Sequence, residues 1–249
     1  MRITTHQPIF LPWPGFFYKA CCADAIVLLD DVQFPLGRSW MTRNRLKNQQ
    51  GELWLTIPVW KKGRGKQVIR DVEICDEINW QYTHRQGICY AYAHAPYLDG
   101  HRSALDAIYQ RRHDRLIDFN LDLIRYLWTA LGLPGRLILQ SETGVSGGKS
   151  DLIVGLCRSL GADTYVTLPP VKKYLDPENF RMNAIRLEFT QFSPLIYPQL
   201  WGDFRYNLST LDLLLTCGPK ALEIITRNHT DVSPHAIERD RPEAHLPGA

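Results

Sequence analysis

The first thirty residues constrain this chain more than any other stretch. Ile3–Thr5 is a short apolar run followed at once by His6-Gln7-Pro8, and Ala25–Leu29 is a second apolar run that ends in Asp30-Asp31. Between them stand Pro8, Pro12 and Pro14. Each fixes φ and lacks a backbone donor, so Ile9–Gly15 must be an ordered loop, rich in aromatic surface, and not a helix. Phe16–Ala23 has the length and composition of a short helix. Strand, loop, helix and strand at this spacing predict a βαβ unit and hence a parallel sheet.

Further strands are expected at Leu53–Val59 and Ile69–Ile74, and Asn79 is placed to cap a helix running through Trp80, His84, Ile88 and Tyr92. Ile117, Leu121, Ile124, Trp128 and Leu131 repeat at helical spacing, which predicts a helix over Leu116–Leu131 ended by Gly132 and Pro134. Leu137–Leu139 reads as a strand, followed by a helix from about Ser150 to Leu160, a stop at Gly161 and a strand at Thr164–Leu168, together a second βαβ-like unit. Arg186–Phe192 reads as one more strand. Ser209 with Asp212 resembles a capping box for a helix through Leu215 that Gly218-Pro219 closes. The expected architecture is α/β: a mostly parallel open sheet, Rossmann-like, flanked by helices. It is expected as one domain over 1–227 with a helical insertion over 79–133, and the polar residues 228–249 read as a disordered tail.

Composition narrows the function classes. Hydrophobic residues make up 45% and charged residues 22%, enough to bury a core. The net charge is +3 with scattered cations, which gives no electrostatic footprint for nucleic acid. Lys61, Lys62, Arg64 and Lys66 cluster, but glycines interrupt them and they read as a solvated loop. The six cysteines form neither a disulfide framework nor a CxxC pair, so no zinc site is expected, and Cys89 and Cys157 read as buried free thiols. No apolar run approaches the roughly 18 residues that span a bilayer, and no cleavable signal opens the chain, so a cytoplasmic location is expected.

Ligands of open parallel sheets bind beyond the carboxyl ends of the strands. That makes His6 and Gln7 the first candidates: a titratable ring and an amide that both donates and accepts. Asp30 and Asp31, at the end of the neighbouring predicted strand, are of the type that raises a histidine's basicity, binds a metal or accepts hydrogen bonds from an amine; as turn caps they would be structural. In Gln33–Arg45, the residues Arg38, Arg43 and Arg45 set cationic forks beside Trp40 and Asn44, a set suited to phosphate or carboxylate plus a ring or sugar. Gly144–Ser150 has three residues, not four, between Gly144 and Gly148 and so misses the phosphate-loop pattern, although Lys149 and Ser150 at a helix start suit an anion. Trp80 and His84 lie one helical turn apart, as core pairs commonly do. No HExxH or GxGxxG is present, and neither a zincin, a dinucleotide enzyme nor a serine hydrolase is expected. No metal site and no particular cofactor follow from these residues, and the oligomeric state is left open.

The segment HQPIFLPWPGFFYKACCADAIVLLDDVQF, residues 6–34, resembles the opening of the WbqC-like protein family. The likeness continues through RSWMTRNRLKNQQGELWLTIPV (38–59), W-Q-Y-T-H at 80–84, A-P-Y at 95–97, S-L-G-A-D-T-Y at 159–165 and Y-L-D at 174–176. After the predicted strand at 164–166 the family pattern has a glycine-containing loop where this chain has Thr167-Leu168-Pro169-Pro170, so no ligand role is carried over to Lys172 or Lys173. The resemblance implies work in bacterial surface-polysaccharide (O-antigen, lipopolysaccharide) biosynthesis, with transfer of an aminoacyl group such as glycyl to an amino sugar. On that implication His6 with Asp30 or Asp31 would act as base. Arg38, Arg43 and Arg45 would hold a sugar nucleotide's diphosphate. Trp13 or Trp40 would face the sugar or base, with Gln7, Gln33, Asn44, His84, Lys149, Ser150 and Tyr174 as further substrate contacts. Two other readings stand beside it: a nucleotide-dependent ligase or nucleotidyltransferase, suggested by topology although an HxGH motif is missing, and a non-catalytic binding protein of a polysaccharide assembly.

Overall fold

The computed structural model describes residues 1–227; the tail expected at 228–249 lies outside the described residues. β1 (Arg2–His6), α1 (Pro14–Cys21) and β2 (Ala25–Leu28) form the opening unit. Pro14 occupies the first turn of α1, where its missing N–H has no intrahelical partner to lose. β1 and β2 pair in parallel, in register from Ile3 opposite Ala25 to His6 opposite Leu28.

β5 (Arg136–Leu139) pairs outside β2, β6 (Thr164–Thr167) pairs on the other side of β1, and β7 (Arg186–Phe189) lies outside β6. All four pairings are parallel, in the order β5-β2-β1-β6-β7. The second βαβ-like unit expected from the sequence is a wide crossover that does not join adjacent strands. β5 and β6 are not neighbours, and α5 (Lys149–Ser159) carries the chain from one edge of the sheet across to the far side of β1. The build direction reverses between β1 and β6, so this sheet has its topological switch point beside His6.

Both faces of the sheet are covered, as a parallel sheet requires. Ile3, Ala25 and Val27 pack with Leu152, Leu156 and Cys157 of α5 and Phe180 of α6 (Pro177–Met182). Ile26 and Leu28 point into the larger cluster with Phe16 and Phe17 of α1, Leu211 and Leu214 of α7 (Thr210–Cys217) and Ile225 of α8 (Ala221–Thr226).

β3 (Arg43–Asn48) and β4 (Gly51–Thr56) make a separate antiparallel hairpin, and α2 (Trp80–Ala91), α3 (Leu98–Gln110) and α4 (Leu116–Ala130) follow before β5. The Asn79 side chain accepts from Tyr82 N, the cap predicted for α2. Ile69–Ile74 is not a strand: Ile69–Asp71 is a short 3-10 helix, and Ile74 makes a single bridge to Val59. Ser209 caps α7 through Leu211 N, but Asp212 does not reach back to complete the box. Its buried carboxylate accepts from Tyr92 Oη at 2.5 Å and Tyr197 Oη at 2.7 Å. Cys157 is buried as expected, while Cys89 is half-buried. Among the described residues no helix is long and apolar enough to cross a membrane.

Candidate small-molecule site at the switch point

Two cavities lie beyond the carboxyl ends of the strands. The larger, about 520 Å³, is lined by His6 and Gln7 after β1, Trp13 at the start of α1, Pro35, Arg38, Ser39 and Trp40 of the loop before β3, Asn44 and Arg45 of β3, and Asn207. The smaller, about 310 Å³, is lined by residues that follow β6 and β7 and shares Trp13 and Asn207 with the first. Both volumes fall in the range of small-molecule sites, at the place where open α/β sheets bind ligands.

The loop that forms the cavity wall is clamped from two sides. Asn120 Nδ2 donates to the carbonyls of Pro8 and Met41, both at 2.9 Å. Asn44 Nδ2 donates to Phe10 O at 3.1 Å and Leu11 O at 2.7 Å. Phe10 N donates to Trp40 O, and Thr210 N to Pro12 O. These bonds hold Leu11 at a φ of 42°, a left-handed conformation that costs a leucine roughly 1–3 kcal/mol unless its surroundings impose it. Next in the chain, the Trp13 indole lies against the Cα of Gly15, where a Cβ would meet the ring at 2.2 Å. The glycine thus lets the indole stand as a partition between the cavities.

His6 is half-buried, its ring edge-on to Phe16 with centroids 5.0 Å apart. Nδ1 lies 2.8 Å from Gln7 O. A carbonyl only accepts, so Nδ1 carries the proton, and in the neutral ring Nε2 is left with its lone pair. The ring is neutral at ordinary pH: burial, and next the charge on Lys19, push its pKa down to about 3, with the Gln7 bond acting in the opposite direction. Lys19 is buried in α1 and donates to Thr5 O at 2.5 Å; burial lowers its pKa to about 7. The neighbouring Thr5 hydroxyl pairs with Tyr165 Oη at 2.8 Å, so polar groups continue beneath the switch point from β1 to β6.

Of the residues singled out by sequence, His6, Gln7, Trp13, Arg38, Trp40, Asn44 and Arg45 come together around the larger cavity. Arg38 is exposed and makes no ion pair or hydrogen bond among the described residues, which leaves its charge uncompensated. Arg45 is engaged with Glu52 at 2.6 Å and Tyr206 O at 3.1 Å. Arg43 lies 3.9 Å over the Trp54 ring, and Trp40 stacks on the same indole with centroids 5.9 Å apart. The Asn44 amide is committed to the loop.

The remaining candidates do not line either cavity. Asp30 and Asp31 were expected to share a pocket with His6. Instead, buried Asp30 accepts from Ser141 N at 2.9 Å and Ser141 Oγ at 2.6 Å, and Asp31 pairs with Arg70 at 3.1 Å. Gln33 sits at an isolated bridge to Val68. His84 is buried among Trp80, Phe10 and Tyr109, with Nε2 3.0 Å from Thr56 N, and burial lowers its pKa to about 4. Ser150 Oγ accepts from Asp176 N, and exposed Lys149 begins α5 with a φ of 51°. Tyr174 is exposed beneath Lys173. Gly144–Gly148 fits the letters of GxSxG, a pattern the sequence was read as lacking. A 3-10 helix at Gln140–Thr143 separates it from β5, and Ser146 bonds to no histidine among the described residues, so it is not a nucleophile elbow.

Sequence reasoning missed Lys19, Ser39 and Asn207. For Lys19 a signal existed. It stands within Phe16-Phe17-Tyr18-Lys19-Ala20, and a helix apolar on every side buries every side. Asn207 has a φ of 55°, which asparagine tolerates better than most residues, but nothing in its neighbours points to a cavity. Among the described residues no group of three or more His, Cys, Asp and Glu side chains is placed to hold a metal ion.

Sheet order and cavities together define a doubly wound α/β protein with a divided cavity of small-molecule size at its switch point. The chain matches the WbqC-like protein family over residues 7–224 and belongs to that family. It is 32% identical over 222 residues to the uncharacterized protein Rv1507c of Mycobacterium tuberculosis, covering 88% of this chain and 95% of that protein. No solved structure matches it.

Proposed function

We propose that the chain is a transferase that forms an amide on the amine of an amino sugar or similar small amine, in the building of a bacterial surface polysaccharide. The observation that carries this reading is a neutral imidazole, Nε2 unprotonated, on the wall of a cavity that also exposes the uncompensated charge of Arg38. In the proposed step the amine nitrogen attacks the carbonyl carbon of an activated acyl donor. The new N–C bond forms, the bond to the leaving group breaks with its electron pair, and the amine's proton passes to His6 Nε2. A ring whose pKa lies near 3 is a weak base at neutral pH. An anionic substrate group held by Arg38 would offset Lys19 and raise it toward the useful range. Trp13 and Trp40, both on the cavity wall, would supply flat surfaces for sugar faces.

A second reading, a nucleotide-dependent ligase or nucleotidyltransferase, is favoured by one observation, the strand order with cavities on both sides of its reversal. The two are separated by incubating the protein with nucleotide-linked amino sugars and activated aminoacyl donors, with and without ATP, and analysing products by mass spectrometry. An amide-linked sugar formed without ATP supports the transferase. Release of pyrophosphate or AMP supports the second reading. No product from any combination would leave a binding protein as the better description.

A further inference from the structure

We propose that the smaller cavity is a nucleobase subsite, so that the ligand is a nucleotide whose phosphates lie toward Arg38 and whose base sits across the Trp13 partition. This deepens the proposed function and rests on its reading of the larger cavity as an anion site.

The chemistry of the walls selects the occupant. No Lys, Arg, Asp or Glu lines the smaller cavity, so a phosphate or carboxylate finds no counter-charge there. Its apolar surface comes from Pro169 and Pro170 after β6, Phe192 after β7, and the indole of Trp13, whose ring meets Phe192 edge-on at 5.3 Å between centroids. Proline and aromatic surfaces accept a flat, uncharged ring. The polar groups are two primary amides, Gln191 and Asn207, and neither makes a hydrogen bond among the described residues. An amide presents a donor and an acceptor side by side, the pattern that the edge of a nucleobase complements. A saturated acyl chain would use the apolar walls and leave both amides idle. Position agrees with chemistry: the two cavities share Trp13 and Asn207 and lie beyond adjacent strand ends, so one molecule can reach from the cationic to the uncharged side.

Binding to the full-length protein, measured by calorimetry with UDP, ADP, inorganic pyrophosphate and octyl phosphate, tests this. At least one nucleotide should bind about tenfold or more tighter than pyrophosphate, the scale of one stacked base. Gln191 is exposed, so Gln191→Ala should keep the parent melting temperature; it should weaken nucleotide binding severalfold and leave pyrophosphate unchanged. Arg38→Ala should weaken both. Pyrophosphate binding equal to that of both nucleotides, or nucleotide binding indifferent to Gln191→Ala, overturns the base subsite alone. Octyl phosphate binding tighter than either nucleotide overturns it in favour of an apolar tail. Failure of every anion, pyrophosphate included, overturns the reading of the larger cavity and this inference with it.

Discussion

Lys19 and Thr5 are joined by a buried hydrogen bond, Nζ to carbonyl oxygen at 2.5 Å, one residue before His6. Burial of the ring and, after it, the charge on Lys19 keep the imidazole neutral, and the lysine's own burial costs stability. Its pKa is about 7 in the folded protein against 10.5 for a free side chain. Between those values the unfolded chain holds a proton that the folded chain has released, so stability rises with pH across that window. Below pH 7 the folded state carries the full cost, on the order of 5 kcal/mol. Lys19→Met should therefore resist urea better than the parent at pH 6 and lack the parent's rise between pH 7 and 10. An unchanged pH dependence would show that the ammonium is solvated.

The histidines act on the acid side. His84 is held at about 4 against 6.5 when free, so as pH falls below 6.5 the unfolded chain takes up a proton that the folded chain refuses, and stability declines. The loss from this residue approaches about 3 kcal/mol once pH reaches the folded value. The variant His84→Gln should be less stable than the parent at pH 8, from lost packing, yet its stability should vary less between pH 6.5 and 4. A slope equal to the parent's would place the acid sensitivity elsewhere.

Asp30 and the Ser141 backbone and hydroxyl make a closed set of contacts. Asp30→Ala should lower stability by about 1–3 kcal/mol, because it strands the half-buried Ser141 N–H and hydroxyl. Turnover per folded molecule should be retained. Loss of turnover with an intact melting temperature would return Asp30 to the catalytic group.

Gly15→Ala tests the partition. A Cβ 2.2 Å from the Trp13 ring cannot be absorbed without moving the indole. Overpacking of this kind costs about 1–3 kcal/mol. The displaced ring should reduce binding in both cavities, measured as loss of affinity for pyrophosphate and nucleotide alike. Retained affinity would mean that Trp13 is a bystander.

The strands of the main sheet were legible because AIVL at 25–28 and TYVT at 164–167 are buried on every position and bounded by turn residues. The Asn79 cap was legible for the same kind of local reason. β3 was not: RNRLKN carries one apolar residue, and its buried Asn44 and Lys47 are polar, so no alternation of hydrophobicity marks it. Ile69–Ile74 looked like a strand because β-branched residues suit one, but only single bridges were there to pair with it. For the candidate site, position after the first strand pointed to His6 and Gln7, and the cation-aromatic run to Arg38 and Trp40, all of which line the larger cavity. Sequence could not tell a histidine at a cavity wall from one sealed among aromatics, as His6 and His84 prove to be. Nor could it tell a carboxylate facing a ligand from one holding a serine, because both differences lie in contacts made by residues more than a hundred positions away or on another helix.

The proposed function requires His6 to be a neutral, Nδ1-protonated imidazole beside a cavity that binds an anion. An NMR pH titration of its ring, free and with pyrophosphate, measures this directly. The ring should show the Nδ1–H tautomer and stay unprotonated from pH 8 down to at least pH 5. Pyrophosphate should move its titration upward, and Arg38→Ala should remove that shift. A ring that titrates near 6.5 whether or not the anion is present would contradict the account.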